Sequence, residues 1–190
     1  MDCALNESDF KKIGTAAFEE ASKALSELLN QKVQLKLISV LVLSPIDVIN
    51  TVGSELPTEV VAGYSEVEGT IDGVLLMVMP VEHAAATAKN LLERLLGSDI
   101  LNEEMAFDLL KEITNIVFGA IVSTVYNKYG IYLKYSVPRV VIDNFIAILD
   151  NIALIYMTLL NELVVLNAEI ESEEKLKLKL LFIPGKRRIK

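Results

Sequence analysis

Asp108, Glu112, Asn115 and Gly119 stand at steps of four, three and four residues along Met105–Tyr126, a stretch whose apolar residues recur at helical spacing. On a helix of about 100° per residue these four form one narrow stripe, while Leu109, Ile113, Ile116, Val117, Ala120 and Ile121 share another arc. One face is expected to be core, and the other carries an acid and an amide able to address a single partner surface. Asn is a mediocre helix former because its amide competes for backbone hydrogen bonds, so an Asn in mid-helix calls for a reason. Gly119 adds a cost of roughly 1 kcal/mol against Ala and leaves room where a partner could approach. Periodicity alone favours a plainer reading, in which Glu112 and Asn115 are solvated residues of an amphipathic helix.

The stretch resembles the signature of the CheC/CheX/FliY family of chemotaxis phosphatases: Asp or Ser, three residues, Glu, two residues, Asn, twenty-two residues, Pro. Asp108, Glu112, Asn115 and Pro138 satisfy each spacing, inside Leu110-Lys-Glu-Ile-Thr-Asn-Ile and Ser136-Val-Pro-Arg. The order of elements from about Asp9 to Pro184 is similar as well. The resemblance implies a hydrolase that dephosphorylates the aspartyl phosphate of the response regulator CheY. In that reading Glu112 would pair with a lysine of the regulator and Asn115 would orient the attacking water. Asp108 would support docking or favour the N-terminal half of the helix, and Pro138 would shape the strand end beside it. Magnesium would be held by the regulator, so no cofactor or metal is expected on this chain. The resemblance also implies an alternative, a non-catalytic adaptor that binds the receptor deamidase CheD or the motor switch. Because the chain stops at Lys190 with no appended switch-binding segment, a motor-switch part is the less favoured of these.

The elements that must position the motif follow from pattern. Asp9–Asn30 is predicted to be a helix capped by Ser8, with Ile13, Ala17, Ala21, Ala24, Leu25 and Leu28 on its apolar face. Val33–Leu43 is a strand stopped by Ser44-Pro45, and Ile46–Pro57 is a short helix or turn region. Val60–Val67 and Ile71–Met79 form a hairpin ended by Pro80; Val81–Leu96 is a helix closed by Gly97. The motif helix then spans Glu103–Lys128, followed by a strand over Ile131–Val137, a helix over Asn144–Leu159 and a strand over Glu162–Ile170. In Glu174–Pro184 lysines alternate with leucines, the pattern of a half-exposed strand. The class expected is α/β (α+β).

At an offset of one hundred residues Phe10-Lys-Lys-Ile-Gly-Thr-Ala-Ala resembles Leu110-Lys-Glu-Ile-Thr-Asn-Ile-Val, and Leu76–Pro80 mirrors Leu180–Pro184. The expectation is one CheC-like domain over 1–190 made of two repeats, about 8–97 and 103–184. Two long helices would pack with an antiparallel sheet about a pseudo-twofold axis. The first repeat has Ser8, Lys12, Thr15 and Ile38 at the motif positions, so one active site is expected, in the second repeat.

Length and composition narrow the rest. A chain of 190 residues with 52% hydrophobic content suits one core burying about 70% of the unfolded surface. The net charge of −8 argues against a nucleic-acid partner, and the basic run at 186–190 reads as a solubilising tail. The lone Cys3 excludes an internal disulfide and agrees with a cytoplasmic location, and the lone His83, at a helix start, is given no chemistry. The N-terminus lacks the basic and apolar regions of a signal peptide. The most apolar window, Val140–Leu160, is broken by Asp143, Asn144, Asp150 and Asn151, so no membrane insertion is expected. A monomer is expected.

Overall fold

In the computed structural model, which describes residues 6–30, 32–97, 102–156, 163–171 and 177–184, the first helix, α1 (Glu7–Leu29), opens on Asn6. The Asn6 side chain accepts from the Asp9 N–H at 3.0 Å, and the Asp9 carboxylate accepts from the Asn6 N–H at 3.1 Å. This reciprocal cap satisfies two helix-end donors and displaces the expected cap at Ser8 by two residues. There follow β1 (Gln34–Leu43), α2 (Pro45–Thr51), a 3-10 turn (Gly53–Glu55), β2 (Glu59–Gly69), β3 (Gly73–Pro80) and α3 (Val81–Leu96). The second half comprises α4 (Glu103–Tyr129), β4 (Leu133–Tyr135), β5 (Arg139–Asn144), α5 (Phe145–Tyr156), β6 (Leu163–Glu171) and β7 (Lys177–Pro184).

The seven strands form one antiparallel sheet in the order β1-β6-β7-β3-β2-β4, with β5 beside β4 on the same edge of β2. Both faces are covered. Leu75, Met77 and Met79 of β3 pack toward α1, α3 and α4, whose core residues include Ala17, Leu91, Val117 and Phe118. The alternate residues Val74, Leu76 and Val78 pack toward α2 and α5, against Val48, Phe145 and Leu149. A strand covered on both sides has no need of polar alternation, which is why β3 is an unbroken apolar run. The class is α+β, as expected.

The sheet order reads the same from either end when β1, β6 and β7 are exchanged for β4/β5, β2 and β3. Each half therefore lends its first strand to the other half's hairpin: β1 pairs β6, and β5 pairs β2.

Three expectations are corrected. The strand expected over Ile131–Val137 is only Leu133–Tyr135, and Arg139–Asn144, to which the pattern assigned no strand ahead of the next helix, is a second strand. Tyr135 faces Val67 and Arg139 faces Tyr64, so the edge takes four steps where β2 takes three, and one residue bulges at the proline. The corresponding edge, β1, bulges too: Leu37 faces Ala168 and Ser39 faces Asn167, which leaves Ile38 as the extra residue. The β7 lysines do not form one solvated face: Lys177 is exposed, but the 3-10 turn covers Lys179. Lys179 is buried, and its ammonium pairs with the carboxylate of Glu55 on the 3-10 turn. His83 acts structurally, since its Nδ1 accepts the Lys177 N–H at 3.0 Å and so tethers the start of β7 to α3.

Cys3, the residues 98–101, the helix end expected at 157–159 and the basic run at 186–190 lie outside the described residues. Among the described residues no helix is long and apolar enough to cross a membrane.

Candidate functional site on the second long helix

The helix α4 is capped at its start by Asn102, whose Oδ1 accepts the Met105 N–H at 2.8 Å, and is closed by Gly130 at φ 67°. Its buried side carries Leu110, Ile113, Thr114, Val117, Phe118 and Ile121. Thr114 is polar, and its hydroxyl is satisfied by donation to the Leu110 carbonyl at 2.7 Å. Asp108 and Glu112 are exposed, and Asn115 and Gly119 are half-buried. The stripe expected from spacing is therefore present, but it turns from open solvent at Asp108 toward a neighbouring element at Asn115.

That element is β4. The Tyr135 ring meets Phe118 edge to face, with centroids 6.5 Å apart at 89°, and its hydroxyl lies 3.0 Å from Asn115 Oδ1 and 3.3 Å from the Asn115 main-chain oxygen. Both contacts are to acceptors, so the hydroxyl is the donor. Gly119 makes the approach possible: a Cβ there would stand 3.0 Å from the Tyr135 hydroxyl. The room left by Gly119 is thus used by this chain itself, not kept for a visitor as the sequence suggested. Burial, and second the negative charge of Glu112, push the Tyr135 pKa above its ordinary value, so the hydroxyl keeps its proton and stays a donor at neutral pH.

Beyond Asn115 the surface opens into a groove of about 480 Å³ between α1 and α4, bordered by Glu20, Ala24, Asn115, Gly119, Ser123 and Lys128. Glu20 also pairs with Lys23 at 2.7 Å, and that hydrogen bond and charge hold its carboxyl below the usual range. The groove leaves space for a visiting group beside the amide. Pro138 is buried at the bulge between β4 and β5, away from solvent, where its missing N–H ends the ladder. Ser136 replaces the lost pairing: its N–H donates to the Glu66 carbonyl at 2.9 Å, and its carbonyl accepts from the Ser65 hydroxyl at 3.0 Å. The proline therefore sets where β4 stops and where Tyr135 meets α4.

Tyr135 is the member that sequence reasoning missed. It lies twenty residues from Asn115, and its only local signal was its place in the alternation Ile131, Leu133, Tyr135, which faces the helical layer. Among the described residues no group of three His, Cys, Asp or Glu side chains is placed to hold a metal ion.

Comparison with known proteins gives the same direction. The family model for the chemotaxis phosphatase CheX matches residues 61–153, a span that contains Asp108, Glu112, Asn115 and Pro138. The CheY-P phosphatase CheC of Bacillus subtilis (strain 168) is 23% identical over 147 residues, 74% of this chain and 68% of that protein. Among solved structures, FliY of Thermotoga maritima superposes with a TM-score of 0.70 at 18% identity, over 95% of this chain and 92% of that one. The FliM middle domain of Vibro alginolyticus gives 0.63 at 13% identity, over 92% of each chain. The class is thus that of a CheC-like fold bearing an acid and an amide on its second long helix. The chain is similar to the CheC/CheX/FliY family of chemotaxis proteins.

Proposed function

We propose that the chain hydrolyses the aspartyl phosphate of a CheY-type response regulator. The observation that carries this reading is the placement of Glu112 in solvent and Asn115 one turn further on, beside an open groove, on one rigid helix. An acyl phosphate is labile, so a catalyst need only position water in line with the P–O bond and let the docked complex stabilise the charge that spreads in the transition state. Asn115 orients that water. The water oxygen bonds to phosphorus as the bond to the aspartyl oxygen breaks, giving a free carboxylate, inorganic phosphate and a released proton. Glu112 docks against a cationic side chain of the regulator. Any magnesium would be held by the regulator's own carboxylates.

The same proposal takes the chain as one domain of two repeats, about 8–97 and 103–184, which the exchange symmetry of the sheet supports. The first repeat exposes Lys12 and Thr15 where the second has Glu112 and Asn115, so it carries no second site.

A second reading is a non-catalytic adaptor for the deamidase CheD or the motor switch; the likeness to a FliM middle domain supports the motor-switch partner alone, since the fold by itself does not select hydrolysis. The deciding assay is phosphate release from purified CheY with an acyl-phosphate donor and magnesium. Acceleration on adding this protein supports the phosphatase reading, and binding without acceleration supports the adaptor.

A further inference from the structure

Asn115 needs a defined orientation, because an amide free to spin presents its two ends to the water equally. Its carbonyl oxygen is tied to the Tyr135 hydroxyl, which also reaches the Asn115 main chain, so one donor fixes the side chain to its own backbone. The ring of Tyr135 is fixed in turn by Phe118 and by the strand pairing with Val67.

The chain contains its own comparison. One hundred residues earlier Phe18 stands for Phe118 and is as deeply buried, but Thr15, Glu19 and Leu35 replace Asn115, Gly119 and Tyr135. The strand registers agree with that offset: Leu35 faces Ile170 of β6 as Tyr135 faces Val67 of β2. Where the amide is absent, the hydroxyl and the gap that receives it are absent too. A tyrosine kept only for packing would have no reason to be missing together with the asparagine, since Leu35 fills the same core position with an apolar side chain.

We propose that Tyr135 is a positioning residue of the active site, its hydroxyl seated against Gly119 and holding the Asn115 carboxamide in the orientation that meets the attacking water. The assignment rests on the phosphatase reading above. It adds Gly119 as the residue that admits the hydroxyl, and it gives Pro138 an indirect share through the bulge that ends β4.

The test uses the full chain, with steady-state hydrolysis of phosphorylated CheY and nuclear magnetic relaxation of the Asn115 side-chain amide. Tyr135→Phe keeps the ring and its contact with Phe118. It is expected to lower kcat by roughly three- to twenty-fold, the worth of one hydrogen bond, with KM unchanged and a lower order parameter for the Asn115 amide. Gly119→Ala drives a methyl group against the hydroxyl and is expected to do the same. Alanine favours the helix and offsets part of that contact's cost, and the urea midpoint of the variant separates a local loss of activity from unfolding. Wild-type kcat in both variants, or a fall in kcat with the amide order unchanged, overturns the positioning role while leaving the phosphatase reading intact. An inert wild-type protein removes both together, whereas full activity in Asn115→Ala removes the water-orienting role of Asn115, and with it the positioning role, while hydrolysis stands.

Discussion

Thr114 of α4 rests directly on Gly63 of β2: a Cβ built on the glycine would fall 2.7 Å from Thr114 Cγ2 and closer still to its Oγ1. Thr114 is fully buried and precedes Asn115, so this contact sets the height of the Asn115 turn above the sheet. The opposite long helix makes the contact in reverse, with Gly14 of α1 over Leu166 of β6, where a Cβ would meet Leu166 Cδ2 at 2.8 Å. Gly63→Ala is expected to destabilise the protein by about 1–3 kcal/mol, because a branched, hydrogen-bonded side chain cannot yield. Gly14→Ala should stay within about 1 kcal/mol of wild type, since the leucine end is flexible and helix propensity improves. Urea denaturation of the two variants compares them directly, and equal losses would mean that the Thr114 contact does not limit the packing.

The buried ammonium of Lys179 is satisfied by a glutamate from another layer. Glu55→Ala leaves that charge with water as its remaining partner and is expected to cost about 1–2 kcal/mol, less than for a fully buried pair because Glu55 is 54% exposed. Lys179→Met should be near neutral, since an apolar side chain of similar length removes the need for a partner. Thermal unfolding of both variants checks the sign. A larger loss for the methionine would show that the pair itself stabilises the sheet.

Much of the fold was legible because helix and strand periods are strong in this chain. The β2–β3 hairpin, the helix closed by Gly97 and the motif helix all stand where pattern placed them. The misses share a cause, which is that a distant element decided the outcome. Arg139–Asn144 is rich in β-branched residues, yet it merges with an apolar run that continues into α5; only pairing with β2 separates strand from helix. Alternation in β7 suggested an exposed lysine face because nothing local shows that the 3-10 turn covers Lys179. The acid and the amide of the site were readable from spacing on one helix. Their partner, Tyr135, came from a strand whose stopping point depends on a bulge, and no spacing rule reports that.

Glu112 is exposed and its charge acts on Tyr135 only as the weaker of two influences, so its substitution should leave the site's internal geometry in place. Glu112→Lys is expected to raise the KM for phosphorylated CheY by about tenfold or more with kcat little altered, consistent with loss of a charge-assisted contact and gain of a repulsive one. The wild-type KM should also rise with salt, and the variant's dependence on salt should be weaker. Affinity unchanged by the substitution would remove Glu112 from the docking surface.

The central claim is that the Asn115 amide performs the water-orienting step. Single-turnover dephosphorylation of preformed CheY phosphate by wild type and by Asn115→Ala, at protein concentrations that saturate binding, isolates that step. A variant that folds and binds like wild type but leaves the regulator's phosphate decaying at its unassisted rate is the predicted result; decay accelerated as strongly as by wild type would contradict it.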